Sequence, residues 1–436
     1  MLFQFKTKPE DFIVKEELWF KPSGKWDVFF VRFQKKEINT MDIVQHLCYW
    51  MKLERKELGI AGLKDKNWVT EQRISIYKKV LNRIWWEEKF LQVLWQKTTI
   101  LETARHNEPL AVWKNTGNYF KIRLEAKKEI TPEIKEKIES NIQKILKNWF
   151  PNCFWKQRFG KWYRNFYRAK EIFENKVSSF LKGVAEGQGI LKNPHSSNTA
   201  GELHMGSNIL AIKVPPQWGG GPQSGGGGKI HKVKTDDFEI RFKLQAYASM
   251  YFNEYTIKRR QKWQIFLWWD IMVNSNNYET KVWIYNEWKV WLFNYEKCKA
   301  EFEWKDLIQP YYLSGETIDI TKDNQWRQPT WPMLGFNLLT PPLNTKSRIK
   351  DNELLQETDF ENIWIKTAKK YNIYGFRRPL WTKPKNLKYE RNENDDLILS
   401  FSLPTGSYAT IFLWTVLDWI DDKTIIENGL EIPLIK

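Results

Sequence analysis

The segment formed by residues 61–72 (AGLKDKNWVTEQ) places one carboxylate between two cations. Asp65 lies between Lys64 and Lys66, and neighbouring cations lower the pKa of a carboxyl group and keep it ionised. A carboxylate that is ionised at neutral pH can act as a nucleophile or as a general base. The same pattern is also typical of an ordinary solvent-exposed turn, so spacing alone does not select an enzyme.

A second segment, residues 151–161 (PNCFWKQRFGK), alternates aromatic residues with lysine, arginine, asparagine and glutamine. Aromatic rings can stack on unpaired bases, at about 1–3 kcal/mol per base, while the cations bind the phosphates. The alternative is a set of core aromatic residues covered by the apolar stems of long cationic side chains. Both interpretations stay open on these residues alone.

The charge balance of the chain indicates a polyanionic partner. The 436 residues include 69 lysines and arginines against 52 aspartates and glutamates, a formal net charge of +17. Such a surplus favours nucleic acid first and an anionic membrane second. The five histidines are scattered and no carboxylate cluster of the two-metal type occurs, which argues against a metal-dependent nuclease.

The cysteines and the apolar pattern bear on the compartment. Cys48, Cys153 and Cys298 are far apart and odd in number, which excludes a disulfide scaffold and a cysteine-based zinc site and suits a reducing cytosol. We recognise no targeting peptide and no run of 18 apolar residues, so we expect a cytoplasmic protein with no membrane segment.

The elements that must position these segments are predicted to be a mixture of strands and helices, which indicates an α+β fold. Predicted strands cover residues 12–16, 28–32, 73–77, 119–124 and 397–401, with a pair of short strands within 281–295. Predicted helices cover residues 41–52, with Thr40 as the N-cap, 132–148 and 244–258. Residues 191–237 are rich in glycine and polar residues and predict a long surface loop.

Taken together, several segments resemble the TruD family of tRNA pseudouridine synthases, in order along nearly the whole chain. They are residues 5–12 (FKTKPEDF), 61–72, 115–120 (NTGNYF), 151–160, 244–253 (LQAYASMYFN) and 401–410 (FSLPTGSYAT). The resemblance implies an α+β fold with a mixed-sheet pseudouridine-synthase core and an inserted α+β TRUD domain. The implied limits are residues 1–180 and 371–436 for the core and 181–370 for the insert, which includes the glycine-rich loop.

The resemblance also implies a function. The expected reaction converts a uridine of tRNA, typically uridine 13 in the D-arm, to pseudouridine, with no metal or cofactor and with the enzyme as a monomer. Asp65 matches the catalytic aspartate, as nucleophile or base. The residues matched to substrate binding are Phe154, which stacks on the target base, Asn152, Lys6, Glu10 and Arg158. A pseudouridine synthase for another RNA, or an RNA-binding protein without catalysis, would share these residues.

Tryptophan occurs 25 times and glycine only 22 times. Four tryptophans fall where the resembled family has glycine, namely Trp26, Trp113, Trp155 and Trp331. Glycine at such positions usually provides a positive φ or close approach of the backbone, which tryptophan cannot reproduce without strain. Our hypothesis is that the host reads a reassigned stop codon as glycine, so that these positions carry glycine in the natural protein; the alternative is a tryptophan-rich lineage or a degraded copy of the gene.

Overall fold

The computed structural model describes residues 2–5, 7–24, 27–64, 66–83, 86–111, 114–160, 164–169, 171–172, 235–261, 266–267, 270–274, 283–286, 289–293, 313–319, 327–333, 335–336, 339–341, 345–356, 365–417, 425–427 and 430–431. Within these ranges, no helix has both the length and the apolar character that crossing a lipid bilayer requires.

The chain forms two compact units. Unit 1 takes its described residues from Met1–Phe150 and Thr382–Lys436, and unit 2 takes them from Pro151–Pro215 and Gly225–Trp381. The two candidate segments are therefore divided, because Asp65 belongs to unit 1 and residues 151–161 belong to unit 2. The limits of the inserted TRUD domain stay a prediction.

An 11-stranded mixed sheet lies at the centre of unit 1. Its strands are β1 (Phe3–Phe5), β2 (Phe12–Leu18), β3 (Val28–Lys35), β4 (Leu58–Ile60), β5 (Val69–Tyr77), β6 (Thr99–His106), β7 (Asn115–Ala126), β16 (Lys385–Arg391), β17 (Leu397–Pro404), β18 (Ile425–Glu427) and β19 (Leu430–Glu431). The order is β19-β18-β1-β7-β2-β5-β3-β6, with β17 also on β7, β16 on β17 and β4 on β5. β2 runs parallel to β5, with Ile13 opposite Val69, whereas β3 runs antiparallel to β5.

Helices cover the sheet of unit 1. They are α1 (Thr40–Met51), α2 (Lys78–Arg83), α3 (Trp86–Trp95), α4 (Pro132–Asn148) and α8 (Ala409–Leu417). The apolar faces of α1, α2 and α3 share one core with β3, β4 and β5. Because each buried apolar side chain contributes about 1.5–3 kcal/mol, this core holds the β4–β5 connection, which contains Asp65, in a fixed frame.

Unit 2 contains a six-stranded sheet in the order β12-β11-β10-β9-β13-β14. Its strands are β9 (Ile271–Asn274), β10 (Trp283–Asn286), β11 (Lys289–Phe293), β12 (Leu313–Asp319), β13 (Arg327–Met333) and β14 (Phe376–Pro379). Two further strands of the described residues, β8 (Phe150–Pro151) and β15 (Trp381–Thr382), pair with each other. Its helices are α5 (Thr235–Gln261), α6 (Lys346–Gln356) and α7 (Ile365–Lys370).

A buried ion pair fixes α5 in unit 2. The Arg259 guanidinium donates to both carboxylate oxygens of Asp270, at 3.0 and 2.8 Å, and the Ser347 hydroxyl donates to the same carboxylate at 2.8 Å. All three residues are almost fully buried. Breaking such a pair is costly because it leaves an uncompensated buried charge, so the position of α5 is well determined.

Most predicted elements are confirmed, including helix 132–148 and the antiparallel pair β10–β11 with Asn286 opposite Lys289. Thr40 as the N-cap of α1 was wrong, because Thr40 is already helical and Asn39 occupies the cap, where its N–H donates to Asp42. Of the predicted loop 191–237, residues 191–234 lie outside the described residues. Residues 235–237 belong to α5, so the loop prediction was wrong there. The helical start before residue 244 was missed because it follows a glycine-rich stretch.

Candidate active site

The connection between β4 and β5 carries the first candidate segment. Two predicted site residues, Lys6 and Asp65, lie outside the described residues. Lys64, directly before Asp65, is described, and β4, which precedes the segment, pairs antiparallel with β5 from Leu58 opposite Ile76 to Ile60 opposite Ile74.

The main chain of Lys64 is held by buried polar side chains. Its N–H donates to the Thr40 hydroxyl at 3.0 Å, and that hydroxyl lies 2.9 Å from Oε1 of Gln72. Its carbonyl accepts from Nζ of Lys35 at 3.3 Å. Thr40, Gln72 and Lys35 are each only 1% exposed. Because buried polar groups must be paired, these contacts restrict the backbone immediately before Asp65.

The side chain of Lys64 faces a buried carboxylate. Its Nζ lies 3.8 Å from Oε1 of Glu16, and the other oxygen of Glu16 accepts the Arg73 N–H at 3.1 Å. Burial raises the pKa of Glu16, and the charge of Lys64 opposes that rise. Sequence reasoning missed Glu16, since nothing in its position on β2 indicated that it meets Lys64.

Glu10 is placed at the surface of unit 1, in a 3₁₀ turn formed by Pro9–Asp11. Its carboxylate accepts from Nζ of Lys36 at 2.6 Å, and more than half of its side chain is exposed. The hydrogen bond and charge of Lys36 lower the pKa of Glu10. The residue is therefore an accessible, ionised carboxylate at neutral pH.

Phe154, in unit 2, is a buried ring with a cation on one face. The ring is 9% exposed, and the Arg378 guanidinium carbon lies 3.9 Å from its centroid. Phe252 of α5 packs against it edge-on, with the two centroids 5.7 Å apart. The ring is therefore a core residue with a cation on one face, which agrees with the second interpretation of this segment, and stacking on a base stays a prediction.

Asn152 is buried two residues before Phe154 and is engaged by β14 and the residue after it. Its side-chain NH₂ donates to the Pro379 carbonyl at 3.1 Å, and its backbone N–H donates to the Leu380 carbonyl at 2.8 Å. Its side-chain oxygen and its carbonyl both accept from Arg378, at 3.0 and 2.8 Å. Arg378, which sequence reasoning also missed, thus contacts both predicted residues of the segment.

Arg158 reaches α5 rather than open solvent. Its guanidinium donates to Gln245 at 3.0 Å and lies 5.8 Å from the Phe154 centroid. Cys153 lies between Asn152 and Phe154 in the sequence, and burial raises the pKa of its thiol to about 12. Cys153 is therefore a neutral packing residue and no nucleophile at neutral pH.

The tryptophans at suspected glycine positions have differing backbones. Trp26 and Trp113 lie outside the described residues. Trp155 has extended backbone, with φ −80° and ψ 158°, and Trp331 lies in β13 with its ring fully buried and stacked 4.9 Å from Tyr255. Neither has a positive φ, so the conformational argument for glycine does not apply there. It applies instead at Trp149, which ends α4 with φ 63° and ψ −178°.

Comparison with known proteins places both segments in one family. The sequence model described as tRNA pseudouridine synthase D (TruD) matches residues 3–187 and 313–416, which is more than half of the chain and includes the Asp65 and Phe154 segments. The chain belongs to the TruD family. The recognition made from the sequence motifs is thereby confirmed.

Three relatives are each named tRNA pseudouridine synthase D. That of Helicobacter hepaticus is 32% identical over 181 residues, covering 42% of this chain and 46% of the relative. That of Sulfurimonas denitrificans is 34% identical over 158 residues, covering 36% and 42%. That of Histophilus somni is 33% identical over 245 residues, covering 54% and 67%. The matched regions thus span less than half the length of the first two relatives.

A solved structure supports the fold class. The crystal structure of a protein named tRNA pseudouridine synthase D (TruD) from Methanosarcina mazei is 18% identical, has a TM-score of 0.51 and covers 95% of this chain and 93% of its own. The predicted α+β fold with a mixed-sheet core is confirmed for this TruD family member.

Proposed function

We propose that this protein is a tRNA pseudouridine synthase that isomerises a uridine, with uridine 13 of the D-arm as the expected position. The observation that carries the proposal is the family match across both candidate segments, residues 3–187 and 313–416. The net charge of +17 supports a nucleic-acid substrate. We expect the enzyme to work in the cytoplasm, as a monomer and without a cofactor.

The reaction breaks the bond between ribose C1′ and N1 of uracil and joins C1′ to C5, and the proton lost from C5 is balanced by one gained on the freed ring nitrogen. Positive charge develops on the sugar, as in glycoside cleavage, and a carboxylate can stabilise or trap it. We assign this role to Asp65, which either attacks C1′ or removes a proton from C2′. In the sequence Asp65 lies between Lys64 and Lys66.

The setting of Lys64 supports this assignment. A catalytic group must be held close to its productive geometry, and small misplacements lower the rate steeply. The Lys64 main chain is bound to Thr40 and Lys35, and its side chain faces Glu16. These contacts end one residue before Asp65, so they restrict the main chain that precedes it.

The aromatic segment is assigned to the target base. The uridine must leave its stack to be reached, which costs a few kcal/mol, and a protein ring can recover part of this by stacking. We assign Phe154 to this contact. Asn152 and Arg158 hold the segment in place, while Lys6 and the exposed Glu10 are assigned to polar contacts with the substrate.

The proposal is tested by mapping pseudouridine in tRNA after incubation with the recombinant protein. Two versions are needed, one with tryptophan and one with glycine at positions 26, 113, 155 and 331. In the active version, Asp65→Ala should abolish product while tRNA binding stays nearly intact. Asp27→Ala, which alters an exposed carboxylate directly before β3, is the matched control and should keep full yield.

Two results would count against the proposal. Equal pseudouridine yield from the Asp65→Ala variant would remove that residue from the chemistry. Binding of tRNA without product in both versions would favour an RNA-binding protein without catalysis, and product in another RNA only would correct the substrate.

A further inference from the structure

The main chain of Phe154 is bridged by one buried asparagine. Asn253 of α5 accepts the Phe154 N–H at 2.6 Å through its side-chain oxygen, and its side-chain NH₂ donates to the Phe154 carbonyl at 2.8 Å. Asn253 is 2% exposed. One side chain therefore satisfies both backbone polar groups of the residue assigned to the target base.

This bridge replaces the pairing that regular structure would provide. Residues 152–155 belong to neither a helix nor a strand, although all four are buried. Buried N–H and C=O groups need partners, and outside regular structure side chains must supply them. Asn253 gives Phe154 the two hydrogen bonds that a neighbouring strand would otherwise give, and so restricts the backbone from which the ring projects.

A second restraint acts on the ring itself. The Arg378 guanidinium lies 3.9 Å from the centroid of Phe154 and is bound at the same time to the carbonyl and the side-chain oxygen of Asn152. Arg378 is 2% exposed. A cation stacked on an aromatic face is attracted more strongly in a desolvated setting than in water, so this contact favours one ring orientation. The main chain and one face of the ring are thus fixed by different elements, α5 and β14.

Packing alone would not require these polar groups. A buried phenylalanine needs only apolar neighbours, and burying two polar side chains against it is unfavourable unless their hydrogen bonds are completed. Here those hydrogen bonds go to residues 152 and 154 of one segment. The arrangement fits a ring whose orientation matters.

We propose that Asn253, together with Arg378, is a positioning residue that orients the Phe154 ring for the target base. This role rests on the proposed function. Asn253 acts through Phe154 rather than on the substrate, so removing it should lower the rate of the chemical step and leave tRNA affinity nearly unchanged.

The test is a double-mutant cycle with single-turnover rates of pseudouridine formation. Asn253→Asp keeps the acceptor for the Phe154 N–H but loses the donor to its carbonyl, and it is made alone and with Phe154→Leu. Asn253→Ala is the second variant, in case the carboxylate prevents folding. Asn141→Asp is the matched control, since Asn141 is also 2% exposed and donates to a carbonyl, that of Val416 in unit 1.

The expected result has three parts. Asn253→Asp lowers the rate about tenfold or more, its tRNA dissociation constant stays within about twofold, and its effect shrinks to less than about threefold when Phe154 is already leucine. Asn141→Asp has the same small effect in both backgrounds, at a comparable loss of thermal midpoint.

Other results overturn the role. If the effects of Asn253→Asp and Phe154→Leu simply multiply, Asn253 does not act through the ring. If Asn141→Asp lowers the rate as much at an equal loss of midpoint, the role is only structural. If both the tryptophan and the glycine version bind tRNA but make no pseudouridine, the proposed function is overturned, and this role with it. If the unmutated enzyme is active and the effects of the two substitutions multiply, only this role is overturned.

Discussion

Replacing Trp149 by glycine should leave the protein more stable than replacing it by alanine. Trp149 has φ 63° and ψ −178°, a region that is essentially restricted to glycine because a Cβ atom crowds the backbone there. Any other residue stores about 1–3 kcal/mol of strain at such a position. Alanine keeps the Cβ atom and the strain, whereas glycine removes both, and both variants lose the same indole ring.

The expected difference follows from two opposing effects. The relieved strain of about 1–3 kcal/mol is offset by the extra freedom of glycine in the unfolded chain, about 0.5–1 kcal/mol, which leaves about 0–2.5 kcal/mol, centred near 1 kcal/mol, in favour of glycine. For a unit of this size, 1 kcal/mol shifts the thermal midpoint by about 2–4 °C. The Trp149→Gly variant should therefore unfold several degrees above the Trp149→Ala variant.

Trp50 provides the matched control. It lies in α1 with its side chain 58% exposed, where the backbone is helical and no positive φ is needed. Glycine there should be less stable than alanine by about 1 kcal/mol, the opposite sign from position 149. The measurement is circular dichroism during heating, for both pairs of variants. If alanine at 149 proves as stable as glycine, the backbone argument for glycine at that position is refuted.

Four further predictions concern charge, substrate and translation. Burial raises the pKa of Glu16, so this residue contributes its full stabilisation below the pKa of the unfolded chain, near 4.5, and loses it as the pH rises. In urea titrations the unfolding free energy of the wild type should therefore fall relative to that of Glu16→Gln between pH 4.5 and 8. A difference that does not change with pH would contradict this. Glu10→Gln should raise KM for tRNA without changing the thermal midpoint, since its carboxylate meets only exposed Lys36, and an altered midpoint would point to a structural role. The logarithm of tRNA affinity should fall linearly with the logarithm of salt concentration, by about 0.7–0.9 per phosphate contact, and a flat response would rule out an electrostatic interface. Peptide masses of the protein from its natural host should show glycine at positions 26, 113, 155 and 331, and the backbone at position 149 predicts glycine there as well; a tryptophan mass or a UGG codon at any of the first four positions would count against the recoding.

The regular elements were readable because their patterns are local. Helix 132–148 follows from isoleucines at helical spacing, and its bounds agree with α4. The predicted strands 12–16, 28–32 and 73–77 follow from β-branched and aromatic runs and lie in β2, β3 and β5 of one sheet. Local patterns therefore predicted part of the sheet, whereas β4, the short strand before the Asp65 segment, was not predicted.

The contact partners of the candidate residues could not be predicted from the sequence, because they are distant in the chain. Glu16 meets Lys64 across the sheet, and Arg378 meets Asn152 from 226 positions away. Such contacts depend on how the strands are ordered, which no local pattern specifies. The glycine-like backbone at Trp149 was missed for another reason, since a helix end with a positive φ is normally marked by glycine itself.

The aromatic segment 151–160 obtains its hydrogen-bond partners late during synthesis. Asn253 follows Phe154 by 99 positions, and Arg378 follows Asn152 by 226. At about 5–20 residues per second, a ribosome needs roughly 10–45 s to reach Arg378 after Asn152 has been added. Until Arg378 has been added, the nascent chain carries an aromatic stretch that still lacks one of its native polar partners, so this segment reaches its final packing only after most of the chain has been made.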